Sequence, residues 1–366
     1  MYQVLRPLLF QLDPEWAHKV SLWAARLAQR AAPSLVESRY GFEEERLKQR
    51  LWGTTFPNPV GLAAGVDKNA RAVPFWEAVG FGFVEVGSVS AQPASGNPRP
   101  RAFRLPADHA LINRMGLNND GAEAVAERLE RGRSERSRPL GINLAKTHDP
   151  DIMGEAALDD FRASFRQLRG QAEYIVLNVS CPNAEDGTTF EDPAALDTLL
   201  DAIHDEQAAP GLAVPVLIKL SPPLTDRVVL DTRLEEILAV AQDHEVDGFI
   251  ATNTAPDRKN LQASSDRLVE IGDGGLSGRP LAGRATRMVR YLYEATDGDI
   301  PIVGVGGVHD AASAYAKIRA GASLVQLYTA LVYEGPTVIR EIKEGLAERL
   351  SDDGYASIDE AVGAEV

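Results

Sequence analysis

Eight short apolar runs, each followed by a longer helical stretch, constrain this chain more than anything else in it. They are Pro59–Ala63, Phe83–Val86, Leu140–Leu144, Tyr174–Val179, Val214–Leu220, Gly248–Thr252, Pro301–Val305 and Leu324–Leu327. Runs rich in Val, Ile and Leu that alternate with helices are the mark of parallel βαβ units buried on both faces. Eight such units predict a single (β/α)₈, or TIM, barrel over residues 46–345, with its chemistry on the loops after the strands. Residues 1–45 read as a helical extension: Asp13 caps a helix with Pro14 in its first turn, and Pro33 follows its end. Within it Trp16, Val20, Trp23 and Leu27 form one apolar stripe, suited either to packing on the barrel or to lying on a membrane. Residues 346–366 read as an acidic surface tail.

Charge narrows the function. Lys+Arg 38 against Asp+Glu 53 gives −15, which argues against a nucleic-acid-binding surface. The first forty residues run against this trend. Arg6, Lys19, Arg26, Arg30 and Arg39 against Asp13, Glu15 and Glu37 give +2, leaving −17 for the rest. Only eight of the basic residues are lysines, a bias expected both of a salt-adapted surface and of a GC-rich genome. The lone cysteine, Cys181, excludes a disulfide framework and a cysteine-rich metal site, and no histidine pair joins it as a metal ligand. No apolar run reaches the ~20 residues of a membrane span.

The strand ends hold the polar chemistry. Lys68, Lys146 and Lys219 lie at or just beyond them, where a compact ammonium can face one oxygen or ring nitrogen. Asn113, Asn143, Asn178, Asn183 and Asn253 gather on the same rim. An amide offers donor and acceptor together, matching the N–H/C=O edge of a pyrimidine or an isoalloxazine. Gly304–Gly307 and the turn after the eighth strand fall where such barrels bind phosphate. No Walker loop and no complete G-x-G-x-x-G opens a first βα unit, which points to FMN rather than NAD. Cys181, in Ser-Cys-Pro on this rim, is a candidate base, since an ordinary thiol titrates near ~8.5.

Together these motifs resemble the dihydroorotate dehydrogenases. The likeness rests on Gly61–Lys68, Gly96–Leu105, Asn113–Asn119, Asn178–Asn183, Gly274–Leu281 and Gly304–Gly307, in order, across nearly the whole chain. The resemblance implies FMN contacts at Ala64, Ser88, Asn143, Asn178, Lys219, Thr252, Gly278, Gly307, Tyr328 and Thr329. It implies substrate contacts at Lys68, Asn113, Arg114, Met115, Gly116, Leu117, Asn178, Asn183, Asn253 and Thr254. Cys181 would take the C5 proton of dihydroorotate as FMN takes a hydride from C6, giving orotate. The extension, with Phe10–Glu15 and then Ala17-His18, is similar to the two-helix appendage of the quinone-using, membrane-associated branch. That branch implies a quinone site at His18, Arg104 and Tyr328 and a peripheral place on the cytoplasmic side of the membrane. Two departures stand out: the quinone branch usually has serine where this chain has Cys181, and phenylalanine is common where it has Leu117. A soluble, fumarate- or NAD-coupled dehydrogenase of the family, and a non-catalytic barrel binding a phosphorylated ligand, are the alternative readings.

Overall fold

The computed structural model describes residues 2–180, 189–208, 213–223 and 232–366. Its centre is a closed parallel barrel of eight strands: β1 Val60–Leu62, β2 Phe83–Val89, β3 Leu140–Leu144, β4 Tyr174–Asn178, β5 Val216–Leu220, β6 Gly248–Ala251, β7 Ile302–Val305 and β8 Leu324–Leu327. Each pairs with the next in sequence, and β8 returns to β1. Every described residue of β3, β4, β5, β6, β7 and β8 is buried, which is why these strands read as unbroken apolar runs rather than as alternating ones.

One end of the barrel is plugged. An antiparallel hairpin, Gln49–Leu51 with Thr54–Phe56, crosses the N-terminal strand ends. It carries Trp52 and Phe56, whose rings meet Tyr174 and Phe83 at centroid distances of 5.5 Å each. Two strand glycines make room for this aromatic layer. A Cβ at Gly61 would lie 2.1 Å from Phe83 Cζ, and one at Gly141 2.1 Å from Tyr174 Cζ. With that end filled, access is confined to the opposite rim, where a sequence-based reading places the chemistry.

Two additions build up that rim. A three-stranded antiparallel sheet (Ala102–Leu105, Ala110–Asn113 and Gly275–Gly278) stands over it with a small core of Leu105, Ile112, Leu276 and Leu281. The second is the extension, which forms three helices rather than two: α1 Tyr2–Gln11, α2 Pro14–Ala31 and α3 Pro33–Tyr40. Asp13 caps α2 as expected, its Oδ1 accepting from Trp16 N at 2.9 Å. α1 docks on the helix after β8: Tyr2 Oη donates to Val332 O at 2.6 Å, and Arg6 to Tyr333 O at 2.8 Å. Gln29 Oε1 in α2 accepts from Phe75 N at 3.1 Å.

The apolar stripe of α2 does not face the barrel. Trp16, Trp23 and Leu27 are 57%, 63% and 53% exposed, while Glu15, Ala17 and Ala25 of the same helix are buried. Of ten exposed large apolar side chains described, eight lie in residues 1–40, so exposed apolar surface is concentrated on the extension. Among the described residues no helix is long and apolar enough to cross a membrane.

The acidic C-terminal stretch differs from the sequence reading. Helix Thr337–Asp353 buries Leu346 and Leu350, and Ile358 and Ala361 beyond it are fully buried. Gly363 N donates to Ile318 O at 3.1 Å, and Glu365 reaches Arg290 at 3.2 Å and Arg319 at 3.4 Å. Its charges face outward and its few apolar side chains anchor it, so residues 346–366 are packed onto the barrel rather than forming a tail.

Candidate active site

A cavity of about 940 Å³ runs from the barrel mouth outward under the extension. Its floor is organised by Glu85, a carboxylate with no exposed surface inside the barrel. Glu85 accepts from Gln326 Nε2 at 2.6 Å, Asn143 Nδ2 at 3.1 Å and Tyr174 Oη at 3.4 Å. Lys219 Nζ lies 3.9 Å away and supplies the counter-charge. Burial pushes the Lys219 ammonium below its ordinary pKa, and the Glu85 charge opposes that shift. Lys219 lines the cavity, whereas Asn143, fully buried, stands behind Ser88.

Above the floor the strand-end side chains hold one another. Ser88 Oγ donates to Asn143 Oδ1 at 2.5 Å and accepts from Asn178 Nδ2 at 3.2 Å. Asn178 Oδ1 accepts from Ser180 Oγ at 2.9 Å and from Asn253 Nδ2 at 3.2 Å. Asn253 Nδ2 also meets Ser180 Oγ at 2.8 Å, and its Oδ1 accepts from Thr254 N at 2.9 Å. This mutual bonding fixes amides from β3, from β4 and from just beyond β6 before any ligand arrives. Ala64, Thr252, Gly278, Gly307, Tyr328 and Thr329 complete this part of the wall, with Thr329 Oγ1 2.9 Å from Ser277 Oγ. Burial pushes the Tyr328 phenol up to about 12, keeping it protonated at neutral pH.

The loop 113–117 forms the roof. Asn113, at the end of its strand, pairs with Gly275, and the backbone turns through positive φ at Gly116 and Leu117 (69° and 50°). Lys68 Nζ projects under it and donates to Asn118 Oδ1 at 2.7 Å. Burial, reinforced by the nearby Arg101 charge, lowers Lys68 to about 8. Arg114 lines the cavity, but its guanidinium stacks on Phe103 at 4.7 Å and donates to the carbonyls of Ile271 and Asp273. That side chain braces the roof.

At the outer end the cavity meets the extension. Burial, with Lys68 adding to it, holds the His18 imidazole down at about 4, so it is neutral near pH 7. Arg104 stacks on Phe10 at 4.7 Å and donates to Leu12 O at 2.8 Å, while its buried Nε has no partner among the described residues. His18, Arg104 and Tyr328 all line the one cavity.

Two residues expected on the rim do not face the cavity: Asn143, behind Ser88, and Lys146, whose ammonium donates to the carbonyls of Asp149 at 2.9 Å and Ile152 at 2.7 Å, closing the loop after β3. Cys181 and Asn183 lie outside the described residues. Glu85 and Gln326 were not anticipated. Both sit inside apolar runs, and only an acid in the middle of Phe-Val-Glu-Val marked the first. Among the described residues no group of three or more His, Cys, Asp or Glu is arranged to hold a metal ion.

A plugged barrel with a preassembled polar rim and one deep cavity at the strand ends defines a (β/α)₈ enzyme. Comparison with known proteins specifies which. The dihydroorotate dehydrogenase family model matches residues 46–350. A protein of Haloarcula marismortui named dihydroorotate dehydrogenase (quinone) is 44% identical over 366 residues, covering 100% of this chain and 99% of its own. One of the same name from Roseiflexus is 43% identical over 368 residues, covering 100% of this chain and 99% of its own. The crystal structure of an Eimeria tenella DHODH in complex with ferulenol superposes with a TM-score of 0.85 at 35% identity, covering 96% of each chain. The chain belongs to the dihydroorotate dehydrogenase family.

Proposed function

We propose that this chain oxidises dihydroorotate to orotate in pyrimidine biosynthesis, with FMN in the barrel mouth and a quinone as final acceptor. The observation that carries the reading is the continuity of the cavity, which joins Lys219 on the floor and Ser88 above it to His18 and Arg104 beneath the extension. One chamber of about 940 Å³ suits a flavin with ligands on either side of it.

The residues fit FMN. Lys219 and Gln326 at the floor offer a cation and an amide whose Oε1 is buried without a partner among the described residues. Ala64, Ser88, Asn143, Asn178 and Thr252 would border or brace the ring system, and Gly278, Gly307, Tyr328 and Thr329 the phosphate. When bound, FMN supplies the two-electron acceptor that the protein side chains lack. Lys68 would offset the carboxylate of the substrate, with Asn178, Asn253, Thr254 and the 113–117 roof reading the ring edge. Cys181 and Asn183 are assigned by the sequence, Cys181 as the base that takes the C5 proton. His18, Arg104 and Tyr328 would meet the quinone: a neutral imidazole and an intact phenol can hydrogen-bond a carbonyl without placing a second charge beside it. The exposed apolar side chains of α1 and α2, on a segment of net charge +2, support peripheral contact with an anionic membrane on its cytoplasmic side.

Acceptor preference tests this. Purified protein given dihydroorotate should reduce a short-chain ubiquinone analogue far faster than fumarate or NAD. Turnover with fumarate or NAD and none with quinone would assign the chain to the soluble branch instead.

A further inference from the structure

Glu15 stands in the first turn of α2 and is the only acidic side chain of that helix, on which Lys19 and Arg30 are exposed. Its side chain is only 7% exposed. It receives two guanidinium forks at once: Arg101 donates Nε and Nη2 at 3.0 Å each, and Arg99 donates Nε at 2.9 Å and Nη2 at 2.8 Å. Lys19 Nζ adds a contact at 3.6 Å. The helix N-terminus also favours the anion, and these donors hold the carboxyl down at about 2.

Arg101 is as buried as Glu15, at 5%. Its remaining nitrogen, Nη1, donates to the carbonyls of Ser95 at 2.7 Å, Asn97 at 2.8 Å and Met115 at 3.3 Å. The backbone around it is drawn into the same knot. Arg114 N donates to Arg101 O at 2.9 Å, Asn97 N to Met115 O at 3.1 Å, and Asn97 Nδ2 to Arg114 O at 2.9 Å. Gly96 is required there, because a Cβ would lie 2.2 Å from Met115 O and 2.7 Å from Arg101 Nη1. The 113–117 roof is thus folded around one guanidinium, and the anion opposite that guanidinium comes from the extension.

We propose that Glu15 is a positioning residue for the pyrimidine substrate: through Arg101 it fixes Met115 and its neighbours in the roof, so the helical extension sets substrate affinity as well as framing the cavity mouth. This rests on the reading of residues 113–117 as the substrate roof. Without Glu15 the Arg101 cation is buried with only carbonyl partners among the described residues, and a charge so placed draws in water or swings out, releasing the loop. Electrostatics alone predicts the opposite sign. Removing an anion near the site raises the local positive potential, which favours an anionic ligand. The direction of the change therefore separates loop positioning from a simple field effect.

The test is an orotate titration of the FMN-loaded enzyme at pH 6.5, read from the flavin absorbance, where Lys68 keeps its proton. Glu15→Gln should weaken orotate about tenfold, the loss of part of one charge-assisted contact. Glu15→Asp, which keeps the charge but is a methylene shorter, should fall between it and wild type. It decides the matter if Glu15→Gln does not fold. Gln29→Ala cuts a different α2–barrel bond and should leave orotate affinity within twofold of wild type. Unchanged or tighter orotate binding in a folded Glu15 variant, even one with a lowered melting temperature, would overturn the proposal. So would an equal loss in Gln29→Ala. Wild-type enzyme that fails to bind orotate at all would overturn the proposed function itself, a distinct result.

Discussion

Replacing Lys219 by methionine removes the only cation within salt-bridge distance of Glu85 among the described residues, and the cost follows from the geometry. At 3.9 Å and an effective dielectric constant of ~20, two unit charges attract by about 4 kcal/mol. Glu85 has no exposed surface, so the methionine variant leaves an uncompensated carboxylate in the barrel and should lose about 3–5 kcal/mol of stability. Glu85→Gln keeps the shape of the acid but leaves Lys219 alone. Burial, no longer opposed, then pushes that ammonium toward its neutral form. The double variant removes both charges and should cost less than the sum of the two single changes. Equilibrium urea unfolding of the four proteins, followed by tryptophan fluorescence, gives the coupling energy directly. A value of about 2–4 kcal/mol is expected, and one below about 0.5 kcal/mol would refute the view that the floor is an interlocked charge pair.

Three further outcomes follow from the same structure. Lys317 is fully buried against Thr286 Oγ1 and Ala282 O, and burial lowers it from 10.5 to about 7. The unfolded chain therefore binds more protons between pH 7 and 10.5, and stability should rise with pH across that window. Lys317→Met should flatten the rise and, below pH 7, gain up to roughly 5 kcal/mol, which denaturant titrations at pH 6 and pH 9 would measure. Cys181→Ser should retain FMN, lower turnover near neutral pH and move the pH optimum upward, because a hydroxyl gives up its proton less readily than a thiol. Unchanged turnover would remove Cys181 as the base. Finally, Trp16→Ser with Trp23→Ser should weaken binding to anionic phospholipid vesicles by tenfold or more in a co-sedimentation assay, with FMN content unchanged.

Much of this architecture was readable from the sequence because short apolar runs, buried on both faces, alternate eight times with longer helical stretches. All eight barrel strands overlap the apolar runs, and the rim residues follow because a barrel offers chemistry only at strand ends. What the sequence hid has a physical reason in each case. The three strands 102–105, 110–113 and 275–278 are four residues long, partly exposed, and set among glycine and proline, so no period emerges. The stripe Trp16–Leu27 has the spacing of a core-facing face but points outward, and spacing alone carries no direction. Lys146 sits at a strand end like Lys68 and Lys219, yet it closes a loop, because position on the rim does not fix where a long side chain turns. Glu15 and Arg101 are 86 residues apart, and nothing local in either segment announces that they meet. The acidic C-terminal stretch reads as solvated because composition averages over its buried anchors, Leu346, Leu350, Ile358 and Ala361.

The most direct test of the central claim is an anaerobic absorbance spectrum of the purified, FMN-loaded protein before and after one equivalent of dihydroorotate. The account predicts a bound yellow flavin that bleaches on mixing, with orotate appearing in equal amount. A yellow protein whose spectrum ignores dihydroorotate, or a protein that stays colourless after incubation with FMN, would contradict it.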